Sequence, residues 1–226
     1  MKTIDDIIRL AAIAHSKHRN AIGLVAIQID KDLKLIYVKL ARQWPREKIN
    51  EIPSEISKLY NQIKWGNTYI DQLTGQHFIQ ELKRVHQMPL RIINTQKNLK
   101  DPDDIERIET MDKIEMTQFM LTLRQNHKIK FPKTPSKTMS ELELQMPLYS
   151  EHKTEAGNVD YYSPGDEKDN LTKALLIACF AARKYLNSGS GGFYGWKKRN
   201  NFSKIQMMTK NTHDTSLSLD YSKLDD

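Results

Sequence analysis

With 226 residues the chain can build one sizeable core and an appendage, and 35 Lys+Arg against 28 Asp+Glu leave a net charge of +7, a basic excess that suits a polyanionic partner. The single cysteine, Cys179, excludes a disulfide framework and a cysteine-rich zinc cluster, and fits a reducing cytosol. The longest apolar run, Ala174 to Ala182, is far short of a membrane span, and MKTIDDII carries acids where a signal peptide would be basic, so a soluble, cytoplasmic protein is expected.

In chain order, AIGLVAIQID and LKLIYVKLARQW around Asp30-Lys31-Asp32 predict a β-hairpin with a polar turn. IPSEISKLYNQIKW then places Ile56, Leu59, Tyr60 and Ile63 at helical spacing, with Ser54 as its expected cap. NTYIDQLTG predicts a short strand ending at Asp71, HFIQELKRV a helix, and LRIINTQ a further strand. Asp103 to His127 reads as one longer amphipathic helix, HKIKFPKTPSK as a basic connector, and MSELELQMPLYSEHK as helical until Pro147. VDYYS is the last strand before the apolar helix of LTKALLIACFAARKYL. Alternating strands and helices predict an α/β fold, a mixed sheet with helices on its faces, over residues 1–187. Residues 188–226 change to Ser, Gly, Asn, Lys and Thr and are expected to be a flexible basic tail. No G-x-x-x-x-G-K-[ST] is present, so no P-loop motor is expected in this chain.

The segment GDEKDN concentrates Asp166, Glu167 and Asp169 at the start of the last helix. Acids there can simply cap the helix and complement its dipole. Clustered carboxylates also suit a hard divalent cation, which takes several oxygen ligands. Asp71 closes a predicted strand, and open α/β sheets gather ligand chemistry at the carboxyl ends of their strands. Asp71 and Asp169 can therefore meet at one edge, as two-metal hydrolases require of acids on separate elements.

These segments carry a resemblance. AIGLVAIQIDKDLKLIYVKLARQWPREKINEI with YIDQLTGQHFIQEL, and TEAGNVDYYSPGDEKDNLTKALLIA, resemble the nuclease domain of viral terminase large subunits, of the ribonuclease H-like superfamily, which cuts DNA during genome packaging. The resemblance covers about residues 7 to 186, and the order of its short motifs is its strongest part. It implies a ribonuclease H-like fold and a metal-dependent endonuclease acting on double-stranded DNA. Asp71 would be the fourth-strand ligand, Asp169 the ligand on the final helix, and Asp166 its neighbour, together holding Mg²⁺ or Mn²⁺ in a two-metal site. The chain departs from the family at the first strand, where Ala12 stands in the place of a metal-binding Asp. That implies an inactivating Asp-to-Ala substitution or a degenerate nuclease. Asp5 and Asp6 lie roughly 20 Å back along an extended strand, too far to compensate; His15 is nearer, but a histidine there is more often polar surface. A packaging role also implies a separate ATPase or a further N-terminal region, a portal or other terminase components, and action in the host cytoplasm.

Lys128, Lys130 and Lys133 in the connector, and Lys197, Lys198 and Arg199 beside Trp196, are candidate DNA contacts, since lysine and arginine release counterions from phosphates. A solvated charge run is the plain alternative. Two other functions stay open: a junction-resolving nuclease of the same fold, and a non-catalytic DNA-binding or assembly module, for which Ala12 is the best argument.

Overall fold

In a computed structural model of the chain, the structure describes residues 7–16, 21–95, 109–153, 159–162 and 169–186. β1 (Ile8–Ser16), β2 (Ala21–Asp30) and β3 (Leu35–Pro45) form an antiparallel meander. α1 (Ile52–Ile63), β4 (Asn67–Asp71), α2 (Gln76–Arg84) and β5 (Leu90–Asn94) follow, then β6 (Glu109–Thr110), α3 (Lys113–Gln125), β7 (Ile129–Lys130) and α4 (Lys137–Leu148). A small hairpin of β8 (Ser150–Lys153) and β9 (Val159–Tyr162) precedes α5 (Asn170–Leu186). The main sheet has 7 strands in the order β6-β5-β4-β1-β2-β3-β7, with β4 parallel to β1 and β5 parallel to β4.

Both faces of this sheet are covered, so its central strands read as nearly unbroken apolar runs. One face of β1 and β2 offers Ala11, Ile13, Ile22, Leu24 and Ala26 to a core completed by Ile52 and Ile56 of α1 and Phe78, Ile79 and Leu82 of α2. The other offers Leu10, Ala12, Ala14, Val25 and Ile27, with Tyr69 of β4, to α5. α5 is itself sandwiched, packing on the sheet by one side and against α3 and α4 by the other. Hence it is apolar all round: Leu171, Leu175, Leu176, Ile177, Ala178 and Cys179 are each at most 1% exposed. Each buried leucine or isoleucine contributes about 1.5–3 kcal/mol, so α5 is a main stabiliser of this face.

The hairpin, α1, α2, β4 and β5 fall where the sequence places them. Three local expectations are corrected, and a fourth, the end of α4 at Pro147, is met to within one residue. Ser54 does not cap α1; the helix starts at Ile52 with Glu51 before it, and Pro53, which needs no N–H partner, is the second residue of its first turn. The single helix expected from Asp103 to His127 is instead β6 followed by α3. Glu109 and Thr110 pair with Ile93 and Asn94 on the edge of β5. Asp112 then ends the strand and caps the helix, its Oδ1 accepting from the N–H groups of Ile114 at 2.8 Å and Glu115 at 3.1 Å. The basic connector contains β7, which pairs with the start of β3. Pro147 lies inside α4, which ends one residue later, so the proline sits in the last turn, where few bonds remain to lose. The tail lies outside the described residues.

Candidate functional site

The site is built at the carboxyl ends of the parallel strands. Successive side chains alternate across a strand, so Asp71 shares the α5-covered face with Tyr69, whose hydroxyl accepts a bond from Lys184 of α5 at 3.2 Å. Asp71 is 4% exposed, and neither of its oxygens is idle. Oδ1 accepts from the Leu73 N–H at 3.1 Å, capping a short 3-10 turn at Gln72–Thr74, and Oδ2 accepts from the Thr95 hydroxyl at 3.2 Å, just past β5. Burial pushes its carboxyl above the ordinary value, against the pull of those two bonds and of the Lys173 and Lys113 ammonium charges.

Asp169 stands immediately before α5, and its backbone carbonyl accepts the first helical bond, from Lys173 N at 2.8 Å. Its side chain does not cap: Oδ2 pairs with the Lys173 ammonium at 2.8 Å, and buried Oδ1 has no hydrogen-bond partner among the described residues. Lys173 thus pairs with Asp169 and pulls through space on Asp71, and both acids lie at the end of the sheet where α5 begins. Asn170, fully buried, also leaves both its amide oxygen and nitrogen without partners among the described residues.

Gly23 lets α5 come this close. A Cβ on it would lie 2.7 Å from the Asn170 carbonyl oxygen, so only glycine admits the helix start against β2. Gly23 pairs with Ala14 across β1, and the register Ile13 to Ile70, carried one residue further, sets Ala14 beside Asp71. Ala12 pairs with Tyr69, one step of the pleat short of the acid, on the same face. The β1 side of the rim is therefore methyl-lined at both levels where a carboxylate could help hold a cation. His15 is next to Ala14 and belongs to the opposite face.

Asp166, Lys197, Lys198 and Arg199 lie outside the described residues. Lys128 donates to the Leu33 carbonyl at 3.3 Å, and Lys133 is exposed in the loop before α4. Lys130 lines a groove of about 440 Å³ with Arg9, Lys39 and Tyr37. That groove lies at the amino end of β1, about five residues along the strand from Ala14, hence roughly 17 Å from the rim at about 3.3 Å per residue. Asp71 and Asp169 both lie at this rim; the connector lysines do not join them.

Lys173, Thr95, Lys113 and Gly23 are parts of the rim that reading the sequence missed. Lys173 had a signal, standing four residues after Asp169, and so did Gly23, a lone glycine inside a strand. Thr95 and Lys113 had none, since only the pairing of β4 with β5 and of β5 with β6 brings them near Asp71.

The donor chemistry of Asp71 and Asp169 fits one hard divalent cation: both are carboxylates, and a buried oxygen of Asp169 is left over. No group of three or more His, Cys, Asp or Glu gathers among the described residues, so a bridged pair of ions would need a ligand from beyond them. Among the described residues no helix is long and apolar enough to cross a membrane.

No protein-family model matches the sequence, and no curated protein matches it. Solved structures do match. The large terminase nuclease from thermophilic phage G20c, crystallised with bound magnesium, superposes with a TM-score of 0.57 at 11% identity, covering 77% of this chain and 82% of that one. The Thermus phage P74-26 large terminase nuclease domain gives 0.56 at 11% identity, over 85% and 86%. The HK97 bacteriophage large terminase gives 0.54 at 12% identity, over 77% of this chain but 39% of its own. The chain has the ribonuclease H-like fold of the nuclease domains of phage large terminases.

Proposed function

We propose that this chain is a metal-dependent endonuclease module that cuts double-stranded DNA during viral genome packaging, with attenuated activity. The reading is supported by Asp71 and Asp169 lying at one end of the sheet, with the Lys173 ammonium paired to Asp169 and pulling through space on Asp71, at the strand ends where this fold class places its chemistry. Asp71 and Asp169 would hold Mg²⁺ or Mn²⁺, with Asp166 as a further ligand. When bound, such an ion polarises an attacking water and stabilises the leaving oxygen of a phosphodiester. The protein's own contributions are distinct from that. Thr95 and the Leu73 N–H fix the Asp71 carboxylate, Gly23 seats the start of α5, and burial keeps bulk water from competing for the acids. Attenuation follows from Ala12 and Ala14, which leave the first-strand side of the rim without a carboxylate to bridge a second ion. Lys128, Lys130 and Lys133, with Lys197, Lys198 and Arg199, would contact the DNA backbone, and a separate ATPase and other packaging components would be partners in the host cytoplasm.

The methyl-lined β1 rim also favours a second reading, a DNA-binding or assembly module of the same fold that does not cut. Nicking of supercoiled plasmid in Mn²⁺ separates the two. The first expects slow nicking that Asp71→Asn abolishes and that Ala14→Asp or Ala12→Asp accelerates by at least about tenfold, the contribution of a restored ligand shell. Inert wild type, with both aspartate variants equally inert while folded, would establish the second. Cleavage of four-way junctions in preference to linear duplex would point instead to a resolving nuclease.

A further inference from the structure

Asp169 and Lys173 are four residues apart on a helix, and such pairs are ordinarily solvated and of small worth. Three observations set this one apart. Asp169 is 4% exposed, with one oxygen on the ammonium at 2.8 Å and the other without a partner among the described residues. The same ammonium exerts a weaker through-space pull on Asp71, which arrives from β4 on the face that α5 covers. The adjoining Asn170 is wholly buried with its amide unpartnered, so among the described residues polar atoms here outnumber the groups that satisfy them. Buried carboxylates need compensating charge, and the alanines of β1 supply none.

We propose that Lys173 is a tethered counter-cation of this pocket: its ammonium pairs with Asp169 and offsets charge at Asp71 in the metal-free protein, and must swing out before a divalent ion can bind. The proposal rests on the reading of these two acids as cation ligands. Two carboxylates carry two negative charges, offset by Lys173 in contact with Asp169 and by Lys113 acting through space on Asp71; a divalent ion neutralises both acids, and the ammonium in contact is then surplus and repelled. The lysine stem is flexible, and its side chain retains 23% exposure, so a route to solvent exists. A site whose competent state requires the ammonium to leave binds its ion more weakly by the fraction of time the ammonium is away. Lys173 is thus a positioning residue that sets the metal affinity of the rim.

The test measures Mn²⁺ binding to the full chain by the electron paramagnetic resonance signal of free Mn²⁺, together with thermal unfolding in EDTA. Lys173→Met should lower Tm in EDTA by about 4–8 °C, through an uncompensated buried acid, and should bind Mn²⁺ at least about tenfold more tightly than wild type, with Tm restored on loading. Lys173→Arg should match wild type in both, since the charge remains. Lys173→Gln keeps a hydrogen-bond donor without the charge and serves if the methionine variant does not fold. Unchanged Mn²⁺ affinity in the uncharged variants, or unchanged stability in EDTA, overturns the role of Lys173. If Asp71→Asn still abolishes Mn²⁺ binding in that case, the metal reading stands alone. If neither wild type nor any variant binds Mn²⁺, both readings fall.

Discussion

At the carboxyl end of β4, Asp71 is 4% exposed, is held by a threonine and a backbone N–H, and faces a helix seated so tightly that a single methyl on Gly23 would collide with it. At the amino end of the same strand, Gly66 merely donates to the Arg9 carbonyl at 2.9 Å, a Cβ there would meet its nearest neighbour at a comfortable 3.6 Å, and the adjoining groove presents Arg9, Lys39 and Lys130. One rim confines charge within the protein; the other displays it. Fold stability and site chemistry are coupled at the first rim and separable at the second.

The sharpest way to break this contrast is steric. Gly23→Val should cost about 3 kcal/mol in urea unfolding, because the neighbour it strikes is helix backbone and cannot yield, whereas Gly66→Ala should stay within about 0.5 kcal/mol. Equal costs would mean that the two rims are packed alike. Next in size, Asp169→Ala should destabilise by about 1–3 kcal/mol, discounted for the partial exposure of Lys173, while Lys130→Ala changes stability by less than about 0.5 kcal/mol.

A smaller effect concerns pH. Burial favours the protonated form of Asp71, so between the ordinary carboxyl value of 3.8 and its raised value the folded protein holds more protons than the unfolded chain. Stability from this group is therefore complete below pH 3.8 and is lost as pH rises through the raised value. In EDTA, Asp71→Asn should gain on wild type as pH climbs through that window; a constant difference would show that the carboxyl is not held above its usual range. The smallest expected change in stability comes at the open rim. There Lys39→Gln with Lys130→Gln should leave Tm and Mn²⁺ binding alone. If the groove carries duplex, these changes lower the salt slope of duplex binding by about 2.

The order of legibility in the sequence follows how local each cause is. The β2–β3 hairpin was readable because its turn is self-contained: Asp30 Oδ1 accepts from the N–H groups of Asp32 and Leu33, both at 3.1 Å, within four residues. Asp71 and Asp169 were readable as punctuation, one closing a strand and one opening a helix. The break before α3 was written in Asp112, a helix cap masked by apolar spacing that continued across it. β6 was not readable, since two residues become a strand only because β5 has an edge to pair. The composition of the rim was hidden for the same reason. Whether Ala12 or Ala14 adjoins Asp71 is decided by the β1–β4 register, and Lys173 looks like any solvated i to i+4 partner until burial of Asp169 is known.

The near-complete enclosure of α5 also bears on how the chain comes into being. The helix packs on β1, β2, β3 and β4, which leave the ribosome about 100 to 160 residues earlier, or on the order of 5–30 s at roughly 5–20 residues per second. Until residues 170–186 emerge, an apolar sheet surface has nothing of its own to rest against, and nascent chains are most exposed to aggregation and most in need of a chaperone during that interval.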